Sequence, residues 1–190
     1  MSKAPPYWIT AKNYLSKKDD ILKSLIKKYK DNHLRTRKDV FYSLCKSIVG
    51  QQISVAAADS VFKKFENACK KKINPKVVSK LKVSQLKKCG LSRQKIRGIL
   101  EMSQKFKDKT FNPRLISKMS DVEAIEYLST LRQIGRWSAE MILLFTYNRS
   151  NIWPVQDIGL LRAISNNYKK KYLPPETFVK KLQKRFSPYC

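Results

Sequence analysis

The sequence predicts an all-α fold, and three observations support this class. Apolar residues recur every three or four positions through most of the chain, which is the spacing of an amphipathic helix. Ser, Asp and Pro stand where many of these patterns begin, and Gly stands where several of them end. No stretch carries a convincing strand pattern. We therefore expect about nine or ten helices and no sheet.

The first half of the chain is predicted to be an aromatic arm followed by helices. Residues 1–13 carry two adjacent prolines and the triplet Tyr7-Trp8-Ile9, which we expect to pack as an arm onto the body. Helix starts are predicted at Ser54 and Ser92, whose hydroxyls can accept a hydrogen bond from the first turn. The predicted helices of this half cover residues 16–29, 39–49, 55–69, 84–89 and the stretch from Ser92 through Phe106.

The second half is predicted to contain a helical hairpin and further helices. Ser120 and Glu123 form the pattern of a capping box, which starts a helix that we expect to continue until Gly135. The next helix should be central and buried, because residues 141–145 are almost wholly apolar. Outside these two, the predicted helices are a short segment from Pro113 to Lys118, the helix 158–168 that Asp157 opens, and a last helix after Pro174-Pro175.

The net charge indicates the class of partner. The chain has 41 basic and 14 acidic residues and a formal net charge of +27. Such an excess favours a polyanionic partner, nucleic acid first, although a generally Lys-rich composition would give the same balance. Lys is absent from Met119 to Tyr168. The excess positive charge therefore lies outside a window that we expect to hold the core and the site.

The cysteines and the apolar runs indicate the compartment. Four cysteines stand too far apart for a metal-binding pair such as C-x-x-C, at positions 45, 69, 89 and 190. Residues 1–30 are polar and Lys-rich, without the apolar core of a signal peptide. We therefore expect reduced thiols in an intracellular protein, in the cytoplasm or nucleoid if bacterial and in the nucleus if eukaryotic. No run approaches the length of a membrane span, so no membrane partner is expected.

A helical hairpin at residues 128–139 is predicted to grip a phosphate. Its turn contains Gly135, so the unpaired N–H groups of the second helix point outward, and they bind an anion together with the helix dipole. Gly135 also allows a DNA backbone to approach closely. An ordinary hairpin with a Gly cap has the same pattern, and the turn alone does not decide between the two interpretations.

The residues around this hairpin resemble the helix-hairpin-helix DNA glycosylase superfamily. The run L-x-x-L-x-x-I-G-x-W-S-A at 128–139 is followed by P-x-x-D at 154–157 and by Ala163. Residues 48–54, I-V-G-Q-Q-I-S, resemble the 3-methyladenine DNA glycosylase II branch, and G-L-S-x-x-K at 90–95 is similar to a third family block. The resemblance spans roughly residues 39–168. It implies a two-part helical body with the active site, DNA and flipped base in the cleft between the parts.

The resemblance also implies the catalytic residue and the reaction type. Asp157 matches the family's catalytic acid, which would stabilise the developing oxocarbenium sugar and orient or deprotonate the attacking water. The alternative is a helix N-cap, and one carboxylate can serve both roles. Trp137 occupies the position where relatives that also cut the strand carry Lys, the amine that forms a Schiff base. The sequence therefore predicts a monofunctional enzyme with no lyase step.

Further residues are assigned to a base pocket and to DNA contacts. Trp137 suits a pocket wall, because a cationic alkylated base over an indole face gains about 0.5–2 kcal/mol; a core aromatic is the alternative. The predicted pocket consists of Trp137, Gln52, Trp153 and Met141, and the predicted DNA contacts are Gln51, Gln133, Gly135, Arg136 and Ser138. A solvated turn is the alternative for the two glutamines at 51 and 52. Gln133 replaces the first Gly of the usual Gly-Ile-Gly hairpin of the family, which would weaken or reshape the phosphate contact.

The resemblance carries expectations about cofactors and partners. Family hairpins bind a monovalent cation, Na or K, through main-chain carbonyls, which by position would be those of Ser129, Leu131 and Ile134. We expect no required cofactor and no iron–sulfur cluster, because the four-cysteine loop of the endonuclease III branch is replaced by the Pro174-Pro175 helix. The expected partner is double-stranded DNA carrying damaged bases, bound by a monomer.

These observations predict an organisation and a function. The expected parts are an N-terminal arm and helix at 1–38, a helical subdomain at 39–118, the hairpin and catalytic Asp region at 119–168, and a closing helix at 169–190. The expected activity is removal of alkylated purines such as 3-methyladenine after base flipping. Two alternatives stay open, which are a mismatch or oxidised-base glycosylase of the same superfamily and a non-catalytic DNA-binding protein with the same hairpin.

Overall fold

The computed structural model describes residues 4–36 and 39–190. Within these ranges the chain forms eleven α-helices and one 3-10 helix, and no residue there is in a strand, which confirms the all-α prediction. The helices are α1 Trp8–Lys18, α2 Asp20–Lys28, α3 Val40–Gly50, α4 Val55–Ala68, α5 Pro75–Val78, α6 Val83–Lys88, α7 Arg93–Lys107, the 3-10 helix Pro113–Lys118, α8 Asp121–Ser129, α9 Arg136–Phe145, α10 Ile158–Asn167 and α11 Glu176–Phe186. None of these helices is long and apolar enough to span a bilayer.

The chain divides into two compact units. Unit 1 combines residues 1–36 with 143–190, and unit 2 consists of residues 37–142. The predicted segment 119–168 therefore contributes to both, because α9 begins in unit 2 and ends in unit 1. The boundary predicted after residue 38 falls on residues outside the described ranges, as does the start of the predicted arm at residues 1–3.

Unit 1 begins with two helices, where an arm and one helix were expected. Asp19 separates α1 from α2, because its backbone is extended at φ −156° and ψ 122°. Its Oδ1 atom accepts the N–H of Leu22 at 3.0 Å and so caps α2. An Asp that favours a helix start over a helix interior explains the break. The apolar faces of α10 and α11 meet in a core of Ile164, Val179, Leu182 and Phe186.

Unit 2 is built from helices whose starts were predicted from their caps. Ser54, Ser92 and Ser120 each accept an N–H from the first turn of their helix, and the predicted capping box at Ser120 is complete. Helix α8 ends at Ser129, earlier than predicted, because residues 130–135 form the hairpin turn. Each large side chain that is fully buried contributes about 1.5–3 kcal/mol; these include Leu44, Ile48, Phe65, Leu86, Ile99, Met102, Ile116, Leu128 and Leu131.

Candidate active site and nucleic-acid interface

The turn between α8 and α9 has a left-handed residue at Gln133. Its φ is +68°, a region that costs an L-residue with a Cβ about 1–2 kcal/mol. The turn is closed by a hydrogen bond from the Ile134 N–H to the Leu131 carbonyl at 3.0 Å. Gln133 thus has a backbone conformation that favours Gly, although it carries a Cβ.

Gly135 caps α9 and leaves its start accessible. Its carbonyl accepts the N–H of Ala139 at 2.9 Å. A Cβ built on Gly135 would meet no heavy atom within 4 Å, so this side of the turn is open space. The positive end of the α9 dipole lies here, together with N–H groups that lack partners within the helix. The hairpin therefore presents the chemistry of an anion site at the predicted place.

Trp137 and Met141 lie on one face of α9, since they are four residues apart. Trp137 is 42% exposed, which excludes the alternative of a core aromatic. Met141 is half-buried one turn further on. The indole in the first turn of α9 thus exposes part of its aromatic surface to solvent.

Gln51 connects the turn after α3 to the hairpin. Its Nε2 atom donates to the main-chain carbonyl of Gln133 at 2.6 Å and to Oγ of Ser138 at 3.5 Å. Ser138 is only 4% exposed. Both side chains thus have partners inside unit 2, and the DNA contact expected of them stays a prediction. Gln52, the next residue, is exposed and left-handed at φ +58°.

Lys95 also stabilises the turn after α3. Its Nζ atom donates to the carbonyls of Val49 and Gln51, each at 2.8 Å. A cation at the carbonyl end of a helix is favourable, so Lys95 caps α3. Burial lowers the pKa of the Lys95 ammonium from its ordinary value. Sequence reasoning placed Lys95 in a family block but gave it no role, because its partners lie 44 and 46 residues away.

Helix α7 supports the hairpin along one face. A Cβ on Gly98 would lie 2.8 Å from Cγ of Gln133 and 3.2 Å from the Arg132 carbonyl, so only Gly permits this approach. Further along, Lys105 Nζ donates to the Thr130 carbonyl at 3.2 Å. These contacts hold the turn against α7 and thereby set the position of the start of α9.

The predicted cation site is a poor fit for a monovalent ion. Of its three carbonyls at Ser129, Leu131 and Ile134, that of Leu131 already accepts an N–H. The Lys105 ammonium contacts the intervening Thr130 carbonyl at 3.2 Å. A positive charge beside the carbonyls opposes a second cation. We infer that Lys105 supplies positive charge at this hairpin.

Arg136 is paired with a buried acid that sequence reasoning missed. The Arg136 Nε atom lies 3.0 Å from Oε1 of Glu140, whose side chain is 4% exposed. The only sequence signal for the pair is its i, i+4 spacing. The guanidinium itself remains well exposed, so this ion pair aims it outward from the first turn of α9.

Asp157, in unit 1, is the N-cap of α10. Its Oδ1 atom accepts the N–H of Leu160 at 2.7 Å, and its own N–H donates to the Pro154 carbonyl at 2.9 Å. These bonds fix the carboxylate at the positive end of a helix. A Cβ on Gly159 would lie 3.0 Å from Oδ1, so Gly159 makes room for the acid. The predicted cap is confirmed, and the carboxylate is held in one orientation.

Trp153 is a half-buried residue of unit 1. Its ring packs edge-on against Phe186 at a centroid distance of 6.0 Å, within the apolar core of unit 1. Its Nε1 atom is buried and has no hydrogen-bond partner among the described residues. The ring borders an apolar cavity of about 180 Å³ inside this unit. The indole thus packs against the core of unit 1, and its role in the base pocket stays a prediction.

Comparisons with known proteins agree with these features. Residues 45–188 match the family described as HhH-GPD superfamily base excision DNA repair protein. The chain is similar to DNA-3-methyladenine glycosylase 1 of Schizosaccharomyces pombe, with 24% identity over 189 residues that cover 94% of this chain and 81% of that protein. It is 30% identical over 185 residues to the alkylbase DNA glycosidase-like protein mag2 of the same yeast, covering 94% and 87%.

The solved structures show the same fold. The structure of the S. pombe 3-methyladenine DNA glycosylase in complex with abasic DNA superposes with a TM-score of 0.74 at 22% identity, covering 95% of this chain and 90% of that chain. At this level of identity the superposition establishes the helical fold, and the chemistry has to be argued from the residues.

Proposed function

Because the chain belongs to the HhH-GPD superfamily of base excision DNA repair proteins, we propose that it is a DNA glycosylase that excises alkylated purines such as 3-methyladenine. The observation that carries this proposal is Asp157, whose carboxylate is fixed at the start of α10 by the Leu160 N–H at 2.7 Å. Its position matches the catalytic acid that the resemblance implies. Two relatives that the chain matches over most of their length are named for 3-methyladenine or alkylbase glycosidase activity or likeness, which supports the substrate class.

The reaction begins with extrusion of the damaged nucleotide. A glycosylase reaches the N-glycosidic bond only after the nucleotide leaves the stack, which costs on the order of a few kcal/mol. The hairpin supplies anion-binding N–H groups at the start of α9, and Trp137 supplies an exposed aromatic face. A cationic alkylated base over this indole gains about 0.5–2 kcal/mol. The same aromatic face gains less from a neutral base.

Asp157 acts on the sugar and on the water. As the bond from C1′ to the base nitrogen breaks, the base takes the electron pair and its positive charge is neutralised. The Asp157 carboxylate stabilises the oxocarbenium character that develops at C1′. It also orients the water whose oxygen forms the new bond to C1′ and accepts its proton. Because the alkylated base leaves as a neutral species, no strong general acid is required.

The reaction stops at the abasic site. Strand cleavage in the lyase branch needs an amine nucleophile, and the chain has Trp137 at that position. Two lysines of unit 2 donate to carbonyls of the hairpin turn and of the turn after α3: Lys105 to Thr130, and Lys95 to Val49 and Gln51. The proposed enzyme is therefore monofunctional. Its proposed partner is double-stranded DNA, which it would bind as a monomer inside the cell.

DNA binding without catalysis is the second candidate. One observation favours it: the relative with 30% identity over 185 residues is named glycosidase-like. The Asp157 carboxylate also has a structural task, since its Oδ1 atom caps α10. Only base release distinguishes a capping carboxylate from a catalytic one.

The test is release of bases from methylated duplex DNA by wild type and by Asp157→Asn. Asn caps a helix about as well as Asp, so the substitution removes the charge and keeps the fold. The matched control is Asp39→Asn, because Asp39 caps α3 in the same way, accepting the Tyr42 N–H at 2.8 Å. We expect wild type and the Asp39 variant to release 3-methyladenine and the Asp157 variant to release at least about a hundredfold less, the lower end of the range for a positioned catalytic group.

Three outcomes would contradict the proposal. DNA binding with no base released from alkylated, oxidised or mismatched duplexes would establish the binding protein. Equal base release by Asp157→Asn and Asp39→Asn would show that the Asp157 carboxylate has no catalytic role. Strand nicks that appear without alkali would show a lyase step and overturn the inference from Trp137.

A further inference from the structure

A second basic concavity lies in unit 2 beside the hairpin, apart from the start of α9. It has a volume of about 390 Å³ and is lined by Arg93, Gln94, Arg97, Arg132 and Gln133. We refer to these five residues as the arginine pocket. None of its three arginines has a role in the reaction described above.

One carboxylate holds two of the three arginines of the arginine pocket in place. Glu101 accepts a hydrogen bond from Arg97 Nε on Oε1 at 2.8 Å and from Arg132 Nε on Oε2 at 2.6 Å. The carboxylate thus holds a guanidinium of α7 and a guanidinium of the hairpin turn in fixed positions. Both hydrogen bonds use Nε, and the side chains remain 65% and 43% exposed, so part of each guanidinium group is accessible to a ligand.

The wall of the arginine pocket is the first turn of α7. Arg93 and Gln94 are the first two residues of this 15-residue helix, and Ser92 caps it by accepting the Lys95 N–H at 3.4 Å. The positive end of the helix dipole therefore lies at two of the residues that line the pocket. Three arginines against one glutamate leave a net charge of +2 at the pocket.

These groups select a tetrahedral anion. Guanidinium groups bind phosphate oxygens through paired N–H donors, and the amides of Gln94 and Gln133 add neutral donors. Because Gln133 belongs both to this pocket and to the hairpin turn, a DNA backbone on the hairpin passes beside the pocket. We propose that the arginine pocket binds a phosphate of the DNA backbone, separate from the phosphate at the start of α9. This inference rests on the proposed function only in requiring DNA as the ligand.

The first experiment compares Arg93→Gln with Arg114→Gln. Arg114 is an exposed arginine of the 3-10 helix that does not line the pocket, so both variants lose one charge. The affinity for a duplex with a tetrahydrofuran abasic-site analogue is measured over a range of KCl concentrations. We expect Arg93→Gln to weaken binding several-fold and to reduce the slope of log K against log salt by about 0.9, the value for one phosphate contact. Arg114→Gln should leave the slope unchanged.

The second experiment identifies the phosphate. Single phosphates of the duplex are replaced in turn by neutral methylphosphonate, and each duplex is titrated with wild type and with Arg93→Gln. The phosphate that contacts the pocket is the one whose neutralisation weakens wild-type binding and leaves the variant unaffected, since the two changes remove the same interaction.

The outcomes separate this inference from the proposed function. If wild type releases bases but Arg93→Gln and Arg114→Gln bind DNA alike, or if no phosphate couples to Arg93, phosphate binding by the arginine pocket is refuted. The proposed glycosylase activity is then unaffected. If wild type binds DNA with the expected coupling and releases no base, the pocket stands and the catalytic proposal fails. A wild type that does not bind duplex DNA at all overturns both.

Discussion

The side-chain amide of Gln51 donates to the main-chain carbonyl of Gln133 at 2.6 Å, although 82 residues separate them. This bond joins the turn after α3 to the left-handed residue of the hairpin. Lys95 holds the Gln51 carbonyl from the other side at 2.8 Å. The start of α9, where the proposed phosphate contact and Trp137 lie, is therefore positioned by a polar network inside unit 2.

Removal of this bond should loosen the hairpin. Gln51→Ala leaves the Gln133 carbonyl without its donor, which should cost about 1–2 kcal/mol of unfolding free energy and weaken DNA binding. Gln52→Ala is the matched control, because Gln52 is the exposed neighbour and its truncation should leave stability within about 0.5 kcal/mol. Urea unfolding and DNA titration measure both effects. Equal stability of the two variants would show that the Gln51 contact does not hold the turn.

The network explains which features the sequence could predict. Caps at Ser54, Ser92, Ser120 and Asp157 depend on residues within three positions, so the local pattern was sufficient. The bonds of Gln51 and Lys95 cross more than forty residues and leave no periodic signal.

Two further differences have local and tertiary causes. One helix was predicted over residues 16–29, but Asp19 ends α1 and begins α2. The apolar spacing gave no sign of this break, which depends on the cap of a single residue. Trp153 was predicted to add aromatic surface to the base pocket. Its edge-on contact with Phe186 was not predicted, because it depends on α11, which lies far along the chain.

Gly98 should be required for the approach of the hairpin to α7. In Gly98→Ala the new Cβ would lie 2.8 Å from Cγ of Gln133 and 3.2 Å from the Arg132 carbonyl. Overpacking costs about 1–3 kcal/mol and the helical preference for Ala returns about 1, so we expect a net loss near 1 kcal/mol and weaker DNA binding. Gln133→Gly in the same background removes the closest contact and should restore part of both. A double variant no better than Gly98→Ala would rule out this contact as the cause.

Glu101 should stabilise the protein in a pH-dependent way. Hydrogen bonds from Arg97 and then Arg132 hold the pKa of its carboxyl below the ordinary value of 4.5. The folded protein therefore binds this proton less readily than the unfolded chain, so the stabilisation is complete above the ordinary pKa and disappears as the pH falls through the folded-state pKa. Because the pairs are exposed, its size should be below about 1 kcal/mol.

The measurement is the melting temperature of wild type and Glu101→Gln across pH. The difference between the two proteins should be present near neutral pH and vanish in acid. A difference that persists unchanged at the lowest pH would assign the effect of the substitution to packing and not to the charge of Glu101.

The hairpin should not depend on a monovalent cation. The Lys105 ammonium lies 3.2 Å from the Thr130 carbonyl, and a bound ion beside it would be repelled. Replacing Na and K by tetramethylammonium at constant ionic strength should therefore leave the affinity for duplex DNA unchanged within about twofold, since screening is unaltered. A larger loss that small amounts of K reverse would demonstrate a specific ion site and refute the role given to Lys105.

Two glycines should separate the chemistry from DNA binding. Gly159→Ala places a Cβ 3.0 Å from Oδ1 of Asp157, so the carboxylate must shift while helix α10 gains up to about 1 kcal/mol from Ala. Gly135→Ala places its Cβ in open space, where only a ligand backbone would meet it. We expect Gly159→Ala to lower the single-turnover rate of base release at saturating enzyme about tenfold or more, because small misplacements of a catalytic group are costly.

Gly135→Ala should show the opposite pattern, with weaker DNA binding and an unchanged rate at saturation. Its stability should fall by no more than about 1 kcal/mol, the difference between Gly and Ala as an N-cap. The rate as a function of enzyme concentration distinguishes the two variants. If Gly159→Ala released bases as fast as wild type, the position of the Asp157 carboxylate would not limit the reaction. Identical behaviour of both variants would mean that neither glycine has the specific function that its surroundings indicate.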